Sequence, residues 1–232
     1  MNQKLKRLEK AACRPVSLDL SAFNPQAVLP YGLTTEHVYR AMSDFVNFLG
    51  FINGRLRAKG IERLEVMLMQ ANFSSIVGEF VSSTIPKYCP TLAKNQYHNG
   101  HPDLVPTGMF PRNAAQHADE GIEIKGSRRA SGWQGHNPEE AWLMVFVFDS
   151  NTPPDQARGI EPRPFRFLLV AGARITKSDW RFSGRSETSR RTITASVTRS
   201  GYDKMLANWI YRAPAVTSQE TVTLIEPPRI ES

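Results

Sequence analysis

Two carboxylates and one ammonium group stand in this sequence at spacings that allow them to meet. Pro102-Asp103 is followed, twenty positions on, by Glu123-Ile124-Lys125. Side chains alternate along a strand, so Ile122 and Ile124 would turn inward while Glu123 and Lys125 share the opposite face. If Asp103 ends a neighbouring strand, two carboxylates and one ammonium converge. Carboxylates are hard oxygen ligands for Mg²⁺, which keeps several waters and accepts phosphate oxygens. Such an ion stabilises charge developing on a phosphate and lowers the pKa of a bound water, and a lysine beside it can position that water or neutralise the phosphate. These residue types suit phosphodiester hydrolysis. Glu123-Ile124-Lys125 is the only acid-x-Lys triplet in the chain; Pro154-Asp155 is a second Pro-Asp, but no such triplet follows it. A plainer reading is a surface strand with a solvated Glu and Lys, and Asp103 capping a turn.

Pro102, Asp103, Glu123 and Lys125, with helices before them and a buried strand after, resemble the PD-(D/E)xK nuclease superfamily, whose best-known members are type II restriction endonucleases. The resemblance covers about residues 62 to 175. It implies an α/β fold: a mixed β-sheet flanked by helices, with a restriction-endonuclease-like core. It implies that Asp103 and Glu123 bind Mg²⁺ (with Mn²⁺ as a substitute), assisted by the backbone carbonyl of Ile124, and that Lys125 serves the attacking water. Glu79, beside the stripe Ile76, Val77, Phe80 and Val81, is the candidate for a further acid on the preceding helix. The implied activity is cutting of double-stranded DNA, sequence-specifically in the manner of a type II restriction enzyme. A homodimer would then set two active sites on opposite strands. Repair, phage or transposon-associated cutting on the same core, and a non-catalytic basic DNA-binding module, are the alternatives. One departure stands out: that core has a helix between the Glu-x-Lys strand and the next strand, whereas residues 126 to 140 carry Gly126, Gly132, Gly135 and Pro138. The next strand is therefore expected to pair as a hairpin, with the covering helix elsewhere, at 200 to 212.

Several elements must position these residues. After an irregular lead-in over 15 to 33, Thr34 or Thr35 can cap a helix whose stripe is Val38, Met42, Phe45, Leu49, Ile52 and Leu56, ended by Gly60. That stripe is either core or a dimer interface. A second helix is expected over about 62 to 84, stopped by Pro86. Ala141 to Asp149 is apolar on both faces and reads as a central strand. Residues 150 to 164 read as a surface loop, and 165 to 176 and 192 to 198 as strands. Ser200 and Asp203 suggest a capping box for a last helix carrying Tyr202, Met205, Leu206, Trp209 and Ile210. The expected organisation is one nuclease domain, with an N-terminal helical part (1–61), a catalytic core (62–212) and an irregular tail (213–232).

Lys and Arg number 29 against 22 acids, a net charge of +7. The stretch 174 to 212 holds nine basic residues against three acids. Localised arginine suits a phosphate backbone, although a solvated basic face has the same composition. Arg128, Arg129, Gln134 and His136, just past the Glu-x-Lys strand, and Arg185, Arg190, Arg191 and Arg199, in the basic run, are the candidate DNA contacts. Gln134 or His136 could also join the outer shell of a metal site. Trp133 could simply cover the core. His98, Asn99 and His101, with Cys89 upstream, invite a zinc reading, but a zinc site needs about four clean ligands and they read more simply as polar loop residues. No Gly-x-Ser-x-Gly serine elbow and no Gly-x-x-x-x-Gly-Lys-Ser/Thr phosphate loop occurs, so no nucleotide cofactor is expected. Two cysteines, no apolar run longer than Ala141 to Phe148 and no secretion signal lead to the expectation of a cytoplasmic protein without a membrane span.

Overall fold

The run Ala141–Phe148 is buried at every position and sets the architecture. The structure is a computed structural model and describes residues 3–135, 139–183 and 194–214. In chain order its helices are α1 (Gln3–Ala12), α2 (Thr35–Ala58), α3 (Leu64–Met67), α4 (Gln70–Tyr88), α5 (Pro153–Ala157) and α6 (Arg199–Ala207). Its strands are β1 (Leu92–Lys94), β2 (Leu104–Pro106), β3 (Ile122–Ser127), β4 (Gln134–Gly135), β5 (Ala141–Asp149), β6 (Arg166–Ile175), β7 (Trp180–Ser183), β8 (Thr194–Val197) and β9 (Trp209–Arg212). A six-stranded mixed sheet has the order β1-β2-β3-β5-β6-β9, and a three-stranded sheet the order β4-β8-β7. The protein is therefore of the α/β class, a mixed sheet flanked by helices.

Strand alternation divides β5 between two cores. Trp142, Met144, Phe146 and Phe148 pack with Val38, Met42, Phe45 and Leu49 of α2 and Phe73, Val77, Val81 and Ile85 of α4. Leu143, Val145 and Val147 face the other way, onto Trp133 and onto Tyr202 and Met205 of α6. The first four residues of the α2 stripe are thus core and not a dimer surface, while Ile52 and Leu56 are half-buried. The same core runs from Ala22 to Tyr211, so the N-terminal helical part and the sheet share one interior. Trp133 covers the second face, as the sequence allowed.

Thr34 caps α2 as expected: its hydroxyl accepts from the His37 amide, and His37 Nδ1 accepts from the Thr34 amide. Other expectations are corrected. The helix over 62 to 84 breaks at Leu68, which is extended, and at Met69, whose ψ of 143° is also non-helical. The break lets α3 bury Glu65 beside Arg63 while α4 turns along the sheet. Pro86 lies inside α4 instead of stopping it; a proline in the last turn forfeits one backbone bond but keeps a helical φ. The segment 150 to 164 is no plain surface loop, since Ser150, Asn151 and Asp155 are buried. The cap of α6 is Thr198, not Ser200, and Asp203 pairs with Arg199. Trp209 and Ile210 belong to β9 because Asn208 ends the helix, its side chain donating to the Gly172 and Val28 carbonyls. β3 and β5 are parallel, not a hairpin; the crossover holds β4 and Trp133, and α6 does cover that face. Residues 215–232 of the expected tail lie outside the described residues.

Helix α4 crosses β3 where both backbones are bare. A Cβ on Gly126 would collide with the Ser74 carbonyl oxygen of α4 and sit 3.0 Å from Val77 Cβ. Neither neighbour can move without shifting the helix. Gly126→Ala is expected to lower stability by about 3 kcal/mol, read from the denaturant midpoint. An unchanged midpoint would contradict this close approach.

Candidate active site

The register of β2 and β3 creates the site. Leu104 lies opposite Ile122, so the next residues outward, Asp103 and Glu123, come side by side. Asp103 Oδ2 accepts the Ile124 amide at 2.8 Å. The Asp103 backbone is fixed by Asn95: its amide donates to the Asp103 carbonyl, and its side chain donates to the Pro102 and Ala115 carbonyls. Lys125, two residues along β3 and on the same face as Glu123, donates to Glu123 Oε1 at 2.7 Å. The Ile124 carbonyl lies 3.7 Å from where a Gly78 Cβ would stand, so it faces a turn of α4 that has no side chain. Asp103, Glu123, Lys125 and the Ile124 amide are therefore brought together.

Two further residues complete the group. His101 Nδ1 is 3.1 Å from Glu123 Oε2 and 3.2 Å from Glu139 Oε2. The His101 amide donates to the Gln116 carbonyl, its carbonyl accepts from Ala118, and its ring stacks on His117 at 5.4 Å. Glu139 is held just before β5, where its carbonyl accepts from Trp180 Nε1. His101 is thus not the plain loop residue that its neighbourhood suggested. His101 joins Pro102 through a cis peptide bond and a bend follows; its ring lies beside Glu123, which spacing from Asp103 did not signal. Nothing in sequence spacing pointed to Glu139, which arrives through the β3–β5 crossover.

Burial, then the adjacent Glu123 charge, pushes Asp103 up to about 7, against the opposing Ile124 amide and Lys125. Burial opposes the charged form of Glu123 as well, but Lys125 and His101 outweigh it and bring Glu123 down to about 2. Burial also works against the charge on Lys125, and Glu123 more than restores it, so the amine stays an ammonium with its pKa above the usual value. His101 follows the same pattern, burial opposing and Glu123 raising. The pair Asp103–Glu123 thus has one firmly held negative charge and a second that is strained. Adjacent oxygen donors with an uncompensated second charge fit a hard divalent cation.

The folded-state pKa of Asp103, about 7, lies above its unfolded value near 3.8. The folded state therefore holds this proton more tightly, and stability falls as pH rises from about 4 to about 7. Asp103→Asn keeps the acceptor for Ile124 and carries no charge. It is expected to stabilise the metal-free protein by about 2–4 kcal/mol at pH 8 and by little at pH 4, measured by denaturant titration. A loss of stability at pH 8 would contradict the crowding of the two acids.

The remaining candidates are dispersed. Glu79 is 65% exposed and pairs with Lys94 at 2.7 Å. Its charge adds to that acting on Asp103, but it is not one of the converging donors. Arg128 is corrected as a DNA contact: its guanidinium donates to the Ser150 carbonyl and hydroxyl and the Asn151 carbonyl, above the Phe73 and Phe148 rings. Arg129 and Gln134 are exposed, the latter in β4 opposite Ser196. Arg199 is exposed and paired with Asp203 at 2.8 Å. His136, Arg185, Arg190 and Arg191 lie outside the described residues. No helix among the described residues is long and apolar enough to cross a membrane. Compared with protein-family models, curated proteins and solved structures, the chain matches none.

Proposed function

We propose that this protein is a Mg²⁺-dependent endodeoxyribonuclease that hydrolyses phosphodiester bonds of double-stranded DNA at a specific sequence, as a cytoplasmic homodimer. The observation that carries the reading is the convergence of Asp103, Glu123 and Lys125 at the β2–β3 junction, with Asp103 seated on the Ile124 amide. The sequence surplus of positive charge supports a polyanionic substrate,.

Asp103 and Glu123 would hold the ion, with the Ile124 carbonyl beside them. When bound, Mg²⁺ supplies charge stabilisation at the phosphate and lowers the pKa of the attacking water. The chain's own groups do the rest. Lys125 is an ammonium whose bond to Glu123 takes one of three protons, leaving donors for a phosphate oxygen or for the water. Glu123 keeps Lys125 charged and oriented. Lys125 therefore acts as electrostatic stabiliser and positioning group for the water, not as a neutral base.

Digestion of a sequenced plasmid tests the reading. Discrete fragments with Mg²⁺, none in EDTA, and binding without turnover in Ca²⁺ are expected. A smear or structure-dependent nicking would favour a repair-type or mobile-element nuclease. DNA binding with no cutting in any divalent ion would leave only a basic DNA-binding module.

A further inference from the structure

Among the described residues the imidazole of His101 has a single polar engagement. Nδ1 faces the Glu123 and Glu139 carboxylates, while Nε2 is buried and meets no partner among those residues. The ring is 12% exposed, and the two carboxylates 15% each. Its orientation comes from the backbone bonds to Gln116 and Ala118 and from the His117 stack, so the nitrogen is presented to the carboxylates by a rigid support. One ligand atom from each of His101, Glu123 and Glu139 lies within 4.8 Å of the others. Neighbouring ligands on a divalent transition-metal ion, with bonds of about 2.1 Å, stand about 3 Å apart. The nitrogen–oxygen distances of 3.1 and 3.2 Å already have that spacing.

We propose that His101 Nδ1, Glu123 and Glu139 form a second divalent-cation site, selective for a first-row transition-metal ion over Mg²⁺ and sharing Glu123 with the Asp103–Glu123 position. Nitrogen is the source of the selectivity. Mg²⁺ takes oxygen ligands and keeps its waters, whereas imidazole suits the later first-row ions. Glu123 can serve both positions because its two oxygens are directed differently, Oε1 to Lys125 and Oε2 to His101. The site needs only His101, Glu123 and Glu139, and its test is separate from that of the nuclease reading.

The test uses the full chain without a polyhistidine tag or DNA, loaded with MnCl₂ at neutral pH. Electron spin-echo envelope modulation of bound Mn²⁺ is expected to show coupling to an imidazole nitrogen, retained in a tenfold excess of Mg²⁺. His101→Gln should lose that coupling, and His101→Gln and Glu139→Gln should each weaken Mn²⁺ about tenfold or more in equilibrium dialysis. Absence of nitrogen coupling in the wild-type protein overturns the site without recourse to any variant. Coupling that persists in His101→Gln, or is lost to excess Mg²⁺, overturns it as well. DNA cutting in Mg²⁺ without nitrogen coupling would sink this site and leave the nuclease reading standing; coupling without cutting would do the reverse.

Discussion

Glu123→Gln and Lys125→Ala are each expected to reduce DNA cleavage by about a hundredfold to a thousandfold, while duplex binding persists. Removing one preorganised charge at a reacting phosphate costs on the order of 10²–10³ in rate. Glu123 does more than one job, since it is a ligand in the proposed ion position and also fixes Lys125 at 2.7 Å. Lys125→Ala leaves both carboxylates in place but removes the ammonium that faces them. Glu123→Gln keeps the shape of the side chain and leaves Lys125 and His101 without the charge that both contact. DNA binding by Glu123→Gln without metal should hold or tighten, because an acid that repels phosphate is gone. The check is a single-turnover cleavage assay beside a filter-binding measurement, with circular dichroism to confirm the fold. Cleavage by Glu123→Gln within tenfold of wild type would contradict the site.

The second large effect concerns folding and lies away from the site. Arg63→Ala is expected to destabilise the protein by about 3–5 kcal/mol, the cost of leaving a buried charge without its partner. Arg63 is 2% exposed and Glu65 is fully buried, with 2.6 Å between them. The guanidinium also reaches Glu9, the Asn151 side chain and the Arg163 carbonyl, tying α1, α3 and the segment after β5 together. Lysine cannot supply this fork of donors, so Arg63→Lys should recover little. Replacing Arg63 by Met together with Glu65 by Leu should recover part of the stability, because the two buried charges are then removed together, while buried Asn53 loses the Glu65 oxygen to which it donates. Urea denaturation of the three variants reads this directly; a single Arg63→Ala change costing under about 1 kcal/mol would mean that water reaches Glu65.

The legible parts of this chain were those governed by local pattern. Alternation at Ile122–Lys125 and the apolar run after it located β3 and β5, and Thr34 declared its helix. Asp103 was placed by its spacing from Glu123, and the structure brings the two together through a single register pair, Leu104 with Ile122. The illegible parts depend on long-range geometry. Glu139 reaches Glu123 only because β3 and β5 run parallel and the crossover returns to the same end of the sheet. Arg128 looked like a surface arginine beside the site, yet the carbonyls of Ser150 and Asn151, more than twenty positions on, take it inward. The break at Leu68–Met69 answers to the burial of Glu65 with Arg63 and has no local breaker residue. His101 belongs with the illegible parts: it read as a polar loop residue, and its bridge to His117, beside a cis peptide bond to Pro102, sets its ring against Glu123.

The most direct measurement of the central claim is a time course on an end-labelled DNA duplex, with wild-type protein and Lys125→Ala side by side, in Mg²⁺ and in EDTA. If Asp103, Glu123 and Lys125 form a metal-dependent phosphodiester-cleaving site, wild type cuts only in Mg²⁺ and Lys125→Ala is about a hundredfold to a thousandfold slower at equal occupancy of the duplex. Cutting that survives EDTA, or equal rates for the two proteins, would contradict it.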